Sequence, residues 1–144
     1  MKIDGRIERI LSDGYERLIY LDFYTKQKKI WVHLIQHEEY LEEGEQSKFL
    51  SVGQSVSLEI GINLVNNYSV VNISSTVINK PLQPINESPH VIVVATVMEI
   101  KDDDTMICSI EDLGSNILVE FEEKVVVGQG ETLLIEGILK AELC

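Results

Sequence analysis

Apolar and polar residues alternate along most of the chain. Ile19, Leu21 and Phe23 interleave with Tyr20, Asp22 and Tyr24, and Ile30, Val32 and Leu34 interleave with Trp31 and His33. A period of two places successive side chains on opposite faces of an extended backbone, so both stretches predict strands with one buried face. Ile3, Ile7 and Ile10 run into the turn signal Ser12-Asp13-Gly14 and predict a strand before them. Val56, Leu58, Ile60 and Ile62 predict a fourth strand. The turn signal Asn66-Asn67 should close it, with another strand from Val70 to Ile78. Further strands are expected over Met106–Glu111, Ile117–Glu122 and Thr132–Leu139. The continuous apolar run Val91-Ile92-Val93-Val94 reads as a strand buried on both faces and as the seam between two halves. One stretch departs from this pattern. Gln36 to Lys48 is rich in Glu, carries Tyr40 and Leu41, and predicts a short helix broken at Gly44.

The two halves of the chain partly repeat. Gly5-Arg6-Ile7-Glu8-Arg9-Ile10 before Ser12-Asp13-Gly14 is matched by Ala95-Thr96-Val97-Met98-Glu99-Ile100 before Asp102-Asp103-Asp104. Val52-Gly53-Gln54 is matched by Val127-Gly128-Gln129, each ahead of a long β-rich run. Between the halves, residues 80–90 hold all 3 prolines, which read as an extended linker, the alternative being a long loop within a single domain. Three strands, a short helix and two strands is the element order of an OB-fold, the small closed Greek-key barrel. The expected fold is therefore mainly β. It comprises two small OB-like barrels or sheets in tandem, the second trimmed, with one short helix in the first. The units expected are 1–80 with the helix near 36–48, a linker over 81–90, and an acidic β unit over 91–144. The second unit is too small to bury a large core and should pack on the first or lean on a partner.

Composition sharpens this picture through charge. The 144 residues carry 24 Asp and Glu against 12 Lys and Arg, a net charge of −12. Residues 1–80 are nearly balanced, with 11 acidic and 9 basic side chains, whereas residues 81–144 hold 13 acidic and 3 basic. Aromatic residues divide the other way, with only Phe121 in the second part. A protein that binds nucleic acid through its overall charge would be basic, so nucleic acid is the less expected partner. The 2 cysteines, Cys108 and Cys144, form no close pair of the kind used by disulfide frameworks or zinc ribbons. No apolar run approaches the roughly 20 residues of a membrane span, and the charged start lacks the core of a signal peptide. These features lead to an expectation of a cytoplasmic protein.

Two surfaces stand out. The first is acidic: Asp102, Asp103 and Asp104 in a turn, Glu111 and Asp112 after the next strand, and Glu120 and Glu122 opposite Ile117, Val119 and Phe121. Carboxylates fixed on a sheet suit a basic protein, whose encounter they would accelerate and select. The second is an aromatic face of Tyr20, Tyr24 and Trp31 beside Lys26, Lys28 and Lys29. Rings for bases and amines for phosphates are what a single-stranded nucleic-acid module needs, although the same rings would serve as packing. His33 and His37 lack a third ligand at a fixed offset, and Asp102–Asp104 lacks the alternation of a calcium loop, so no metal or other cofactor is expected. No nucleophile elbow, phosphate loop or dinucleotide fingerprint is present, and Cys108 sits in an apolar strand pattern as a buried, inert thiol. The expectation is a non-catalytic acidic protein-binding module. Its most concrete form is a small cytoplasmic inhibitor or immunity protein that covers the active site of a basic toxin or enzyme. The alternatives are an OB-type single-stranded nucleic-acid module on the aromatic face and a structural subunit pairing through Val91–Val94 or a sheet edge.

Overall fold

A computed structural model describes residues 1–71 and 82–144. The strand expected through Ile78 and the first linker residues, Lys80 and Pro81, lie outside the described residues. The chain is mainly β: among the described residues eight strands form one sheet and no α-helix occurs. They are β1 (Lys2–Asp13), β2 (Glu16–Phe23), β3 (Lys28–Ile35), β4 (Ser55–Val70), β5 (His90–Asp102), β6 (Thr105–Ile110), β7 (Gly114–Phe121) and β8 (Thr132–Leu143). A single 3-10 turn over Tyr24–Lys26 joins β2 to β3. No helix among the described residues is long and apolar enough to cross a membrane.

The pairings close into two circuits. β1, β2 and β3 form an antiparallel meander, β3 meets β8 in parallel, β8 runs antiparallel to β4, and β4 returns antiparallel to β1. The second circuit has the same order. β5, β6 and β7 form a meander, β7 meets β4 in parallel, and β8 closes against both β4 and β5. The long strands β4 and β8 thus serve both circuits. The halves are joined by the β4–β8, β4–β7 and β3–β8 pairs, whereas the strand of Val91–Val94 pairs, among the described residues, with β6 and β8. Glycine permits two close approaches to β4. A Cβ on Gly137 of β8 would lie 2.8 Å from side-chain carbons of both Ile62 and Val65, and one on Gly61 of β4 would lie 3.0 Å from the Leu118 carbonyl of β7.

The repeat seen in the sequence is a repeat of structure. β1 bulges between Ile7 and Arg9 against β2, and β5 bulges between Val97 and Glu99 against β6. The Ile7 N–H donates to the Gln54 carbonyl at 2.9 Å, and its carbonyl accepts from the Gly53 N–H at 2.7 Å. Val97 makes the same two bonds, at the same lengths, with Glu131 and Gly130. The side chains match as well: Gln54 Oε1 accepts from the Ser51 N–H at 2.9 Å, and Glu131 Oε1 accepts from the Gly128 N–H at 2.5 Å. The counterpart of Gly53 is therefore Gly130, not the Gly128 suggested by the recurring Val-Gly-Gln. Both glycines hold positive φ, 91° and 87°, a conformation that strains other residues.

Alternation accounts for the core. Every second residue of β2 from Arg17 is buried, as are alternate residues along β6 and β8. Asn66-Asn67 does not end β4; the strand continues to Val70 through an irregularity between Asn63 and Asn67, where Leu64 adopts φ 53°.

The helix expected over 36–48 is absent, and the reason is a buried charge. Arg17 occupies an inward position of β2 and is wholly buried, so its guanidinium needs acceptors. It donates to the Gly14 and Glu16 carbonyls and, across the loop, to the Glu39 carbonyl at 2.7 Å and Glu39 Oε1 at 3.1 Å. The Glu39 carboxylate in turn accepts from Ser47 Oγ and from the Lys48 N–H. Burial opposes its charge, yet these bonds and the neighbouring Arg17 hold its pKa below the ordinary carboxylate range. Leu41 pairs with Gly14 as an isolated bridge. The segment spends its polar groups on Arg17 and the β1–β2 turn, which an α-helix would have kept for its own backbone.

Candidate functional site

The acidic residues separate into groups. Asp102, Asp103 and Asp104 form the β5–β6 turn, and the chain leaving β7 runs beside them. The Asp104 carbonyl accepts from the Phe121 N–H at 2.8 Å, and the Asp103 carbonyl accepts from the Val125 N–H at 2.9 Å. These bonds set Glu122 and Glu123 next to the three aspartates and hold both segments without using a carboxylate. Glu123 is a member that the strand reading missed, because it lies beyond the alternating run. Glu111 and Asp112 lie elsewhere. They follow β6, whose 6 residues span about 20 Å from the aspartate turn, and Asp112 reaches Lys28 of the first half at 3.6 Å. Glu120 pairs with Lys140 on β8.

The aspartate turn is locally satisfied. Asp102 Oδ1 accepts from the Asp103 N–H, Asp104 Oδ1 accepts from Thr105 Oγ1, and Asp103 faces Lys124 Nζ at 3.4 Å. One oxygen from each carboxylate lies within 4.8 Å of the others, with Asp102 and Asp103 exposed and Asp104 half-buried. An apolar residue stands in this group: Val126, next to the pinned Val125, is 95% exposed.

The aromatic face is covered. Trp31 projects from the side of β3 opposite Ile30 and Val32, yet it is only 6% exposed. Tyr20 stacks on it with ring centroids 4.6 Å apart, and the Arg9 guanidinium lies 5.3 Å from its centroid. The cover is the end of the proline-containing segment. Gln83 Oε1 accepts the Trp31 N–H at 2.7 Å and Gln83 Nε2 donates to the Trp31 carbonyl at 2.6 Å. That carboxamide makes the pair of bonds a neighbouring strand would make with the edge of β3 away from β2. Leu82 is tied to β5 through the Ile92 N–H, and Glu87 pairs with Arg9 at 2.7 Å. Tyr24 and Lys26 lie on the exposed 3-10 turn, Lys29 is exposed and Lys28 is half-buried.

His33 and His37 do come together, in a cleft of about 950 Å³ at the β3–β8 contact that also includes Glu16, Glu38, Lys140 and Leu143. His33 Nε2 lies 2.9 Å from Glu16 Oε1. Cys108 is buried in the core, and burial raises its pKa to about 11. Its thiol is protonated at neutral pH and its sulfur is enclosed.

No protein-family model, curated protein or solved structure matches the chain.

Proposed function

We propose that this protein is a non-catalytic binding module for a basic protein, docking through the end formed by Asp102–Asp104, Glu122, Glu123 and Val126. The observation that carries the reading is the pinning of the two acidic segments to each other by backbone hydrogen bonds, with the exposed Val126 next in the chain to the pinned Val125. An apolar anchor ringed by charge is the usual make-up of a selective interface. The anchor supplies affinity once desolvated, and the ring supplies encounter rate and choice of partner. A small inhibitor or immunity protein that lays this end over a cationic active site fits the same chemistry, because carboxylates take the positions of phosphates there.

We further infer that each circuit of five strands is an OB-like barrel, since five strands closing on themselves have the count and closure of that fold. Each unit then borrows its closing strand from the other half, β8 in the first and β4 in the second.

The test is a titration of the isotope-labelled protein with a lysine- and arginine-rich model peptide, followed by amide shifts. Shifts should concentrate at 102–104 and 122–126, weaken as salt rises, and vanish in the D102K/D103K/E122K variant with the fold retained. Shifts centred elsewhere, or unaltered by charge reversal, would refute the reading.

A further inference from the structure

We propose that the cleft at the β3–β8 contact is a docking site for an extended segment of a partner protein that presents an apolar and a basic side chain on one face. The cleft holds about 950 Å³ and opens on the outward sides of β3, β8 and β4, where β3 and β8 are bridged by only two residue pairs, His33–Lys140 and Leu34–Ala141. Two local costs meet in its wall. Leu64 stands at the irregularity of β4 with φ 53°, a left-handed conformation that a bulky side chain adopts only under constraint. Irregular strand positions re-aim side chains, and this one leaves the leucine roughly half exposed at the cleft. Beside it, Asn63 Oδ1 is enclosed and has no hydrogen-bond partner among the described residues. Both features lower the stability of the free protein, and both residues line the cleft.

The lining sorts along the length of the cleft. Ile138, Lys140 and Glu142 take successive outward positions of β8, which sets the first and last about 13 Å apart. The Ile138 end is apolar: Asn63 is its cross-strand partner, Leu64 follows, and the Pro89 carbonyl is bonded to the next residue, Leu139. The Glu142 end is acidic. Lys140, the one ammonium in the described lining, is held by Glu120, and Glu16 lies against His33. Glu59, across from Glu142 on β4, is held by the Met1 amino group. Glu38 and Glu142 are left with no ion pair among the described residues. A basic side chain complements this end. Its aliphatic stem would lie on Ile35 and Leu143, both roughly half exposed, with its charge toward Glu38 and Glu142. An apolar side chain complements the other end, against Leu64 and Ile138. Residues two and four apart in an extended chain share a face at about 7 and 13 Å, so one short strand reaches both ends. This site is separate from the Asp102–Asp104 end and stands whether or not that end binds a basic protein.

The experiment titrates the full isotope-labelled chain with three short capped peptides at low salt and follows amide shifts. One alternates leucine with serine and ends its leucine series with arginine, the second has glutamate for that arginine, and the third contains only lysine and arginine. The leucine–arginine peptide should shift the amides of His33–Glu38, Asn63, Leu64 and Ile138–Leu143 saturably. The glutamate peptide, and the leucine–arginine peptide with the E38Q/E142Q variant, should bind at least on the order of tenfold more weakly, the worth of a charge-assisted contact. Leu64→Gly removes the apolar side chain at a backbone position that glycine adopts freely, and it should weaken binding by about tenfold as well. Glu38, Glu142 and Leu64 are all exposed, and calorimetry checks that both variants remain folded. The D102K/D103K/E122K variant should bind the leucine–arginine peptide as the natural chain does. Four results would overturn the proposal: no saturable shifts at the cleft up to millimolar peptide, equal binding of the glutamate peptide, undiminished binding by E38Q/E142Q or L64G, or cleft shifts as large with the lysine and arginine peptide, which has no apolar side chain for the Leu64 end.

Discussion

Gly137→Ala tests the crossing of β4 and β8. Gly137 pairs with Val91 on one side and lies against β4 on the other. A Cβ there would sit 2.8 Å from Ile62 Cγ2, 2.8 Å from Val65 Cγ2 and 2.9 Å from the Asn63 carbonyl oxygen. Relaxed carbon contacts are about 3.5–4.0 Å, so the two methyls would have to retreat by roughly 0.7–1.2 Å. Neither is free to do so. Ile62 and Val65 are β-branched and fully buried, and the third contact is backbone. Overpacking of this kind costs about 1–3 kcal/mol, and two stiff neighbours with a carbonyl place the expectation near the upper figure. For a chain of this size each kcal/mol lowers the melting midpoint by about 3 °C, so G137A should melt roughly 6–10 °C lower in scanning calorimetry. The sign is diagnostic. Without the contacts, replacing glycine by alanine in a strand would stabilise by up to about 1 kcal/mol through the unfolded chain. An unchanged or raised midpoint would therefore refute the close approach. Val65→Ala removes one obstructing methyl, so G137A should cost less in the V65A background than alone. Because β4 and β8 belong to both circuits, the variant should still melt in one transition with equal calorimetric and van't Hoff enthalpies.

Other expectations follow from single features. Glu39 holds its proton less tightly when folded, so its contribution to stability is present above the ordinary carboxyl pKa of about 4.3 and is lost as pH falls through the lower folded value. The difference in melting midpoint between the natural chain and Glu39→Gln should therefore shrink on acidification below about pH 4.5, and parallel curves would contradict this. In the folded protein a thiol reagent at neutral pH should modify Cys144 quickly and Cys108 only after denaturation; two fast thiols would show that Cys108 is not enclosed. Gly53→Ala and Gly130→Ala meet no neighbour within 4 Å, so each should cost about 1 kcal/mol from left-handed backbone alone. Clearly unequal losses in urea unfolding would argue against the equivalence of the two turns.

The period-two alternation determined most strands without any structure, because a buried face and a solvated face write that pattern directly into neighbouring residues. Ile19, Leu21, Phe23, Ile30, Val32 and Leu34 are buried as alternation requires. The concentration of carboxylates in the second half was equally legible, and so was the kinship of the β1 and β5 segments. Interactions between distant residues were not. Nothing local to Glu39 announces that Arg17, 22 positions away, will claim its carbonyl and carboxylate and cancel a helix. Trp31 lies on the outward face that alternation assigns, yet it is buried because Gln83 folds back across 52 residues to complete its edge. The acidic run from Asp102 to Glu122 reads as one surface, whereas the length of β6 carries Glu111 and Asp112 away from the aspartate turn. Above all, the partner of β4 was decided in three dimensions. Periodicity states which face of a strand is buried and is silent on which strand lies beside it. That choice rests on Gly137 letting β8 approach β4 and on Gly61 letting β7 approach it, a property of the assembled sheet.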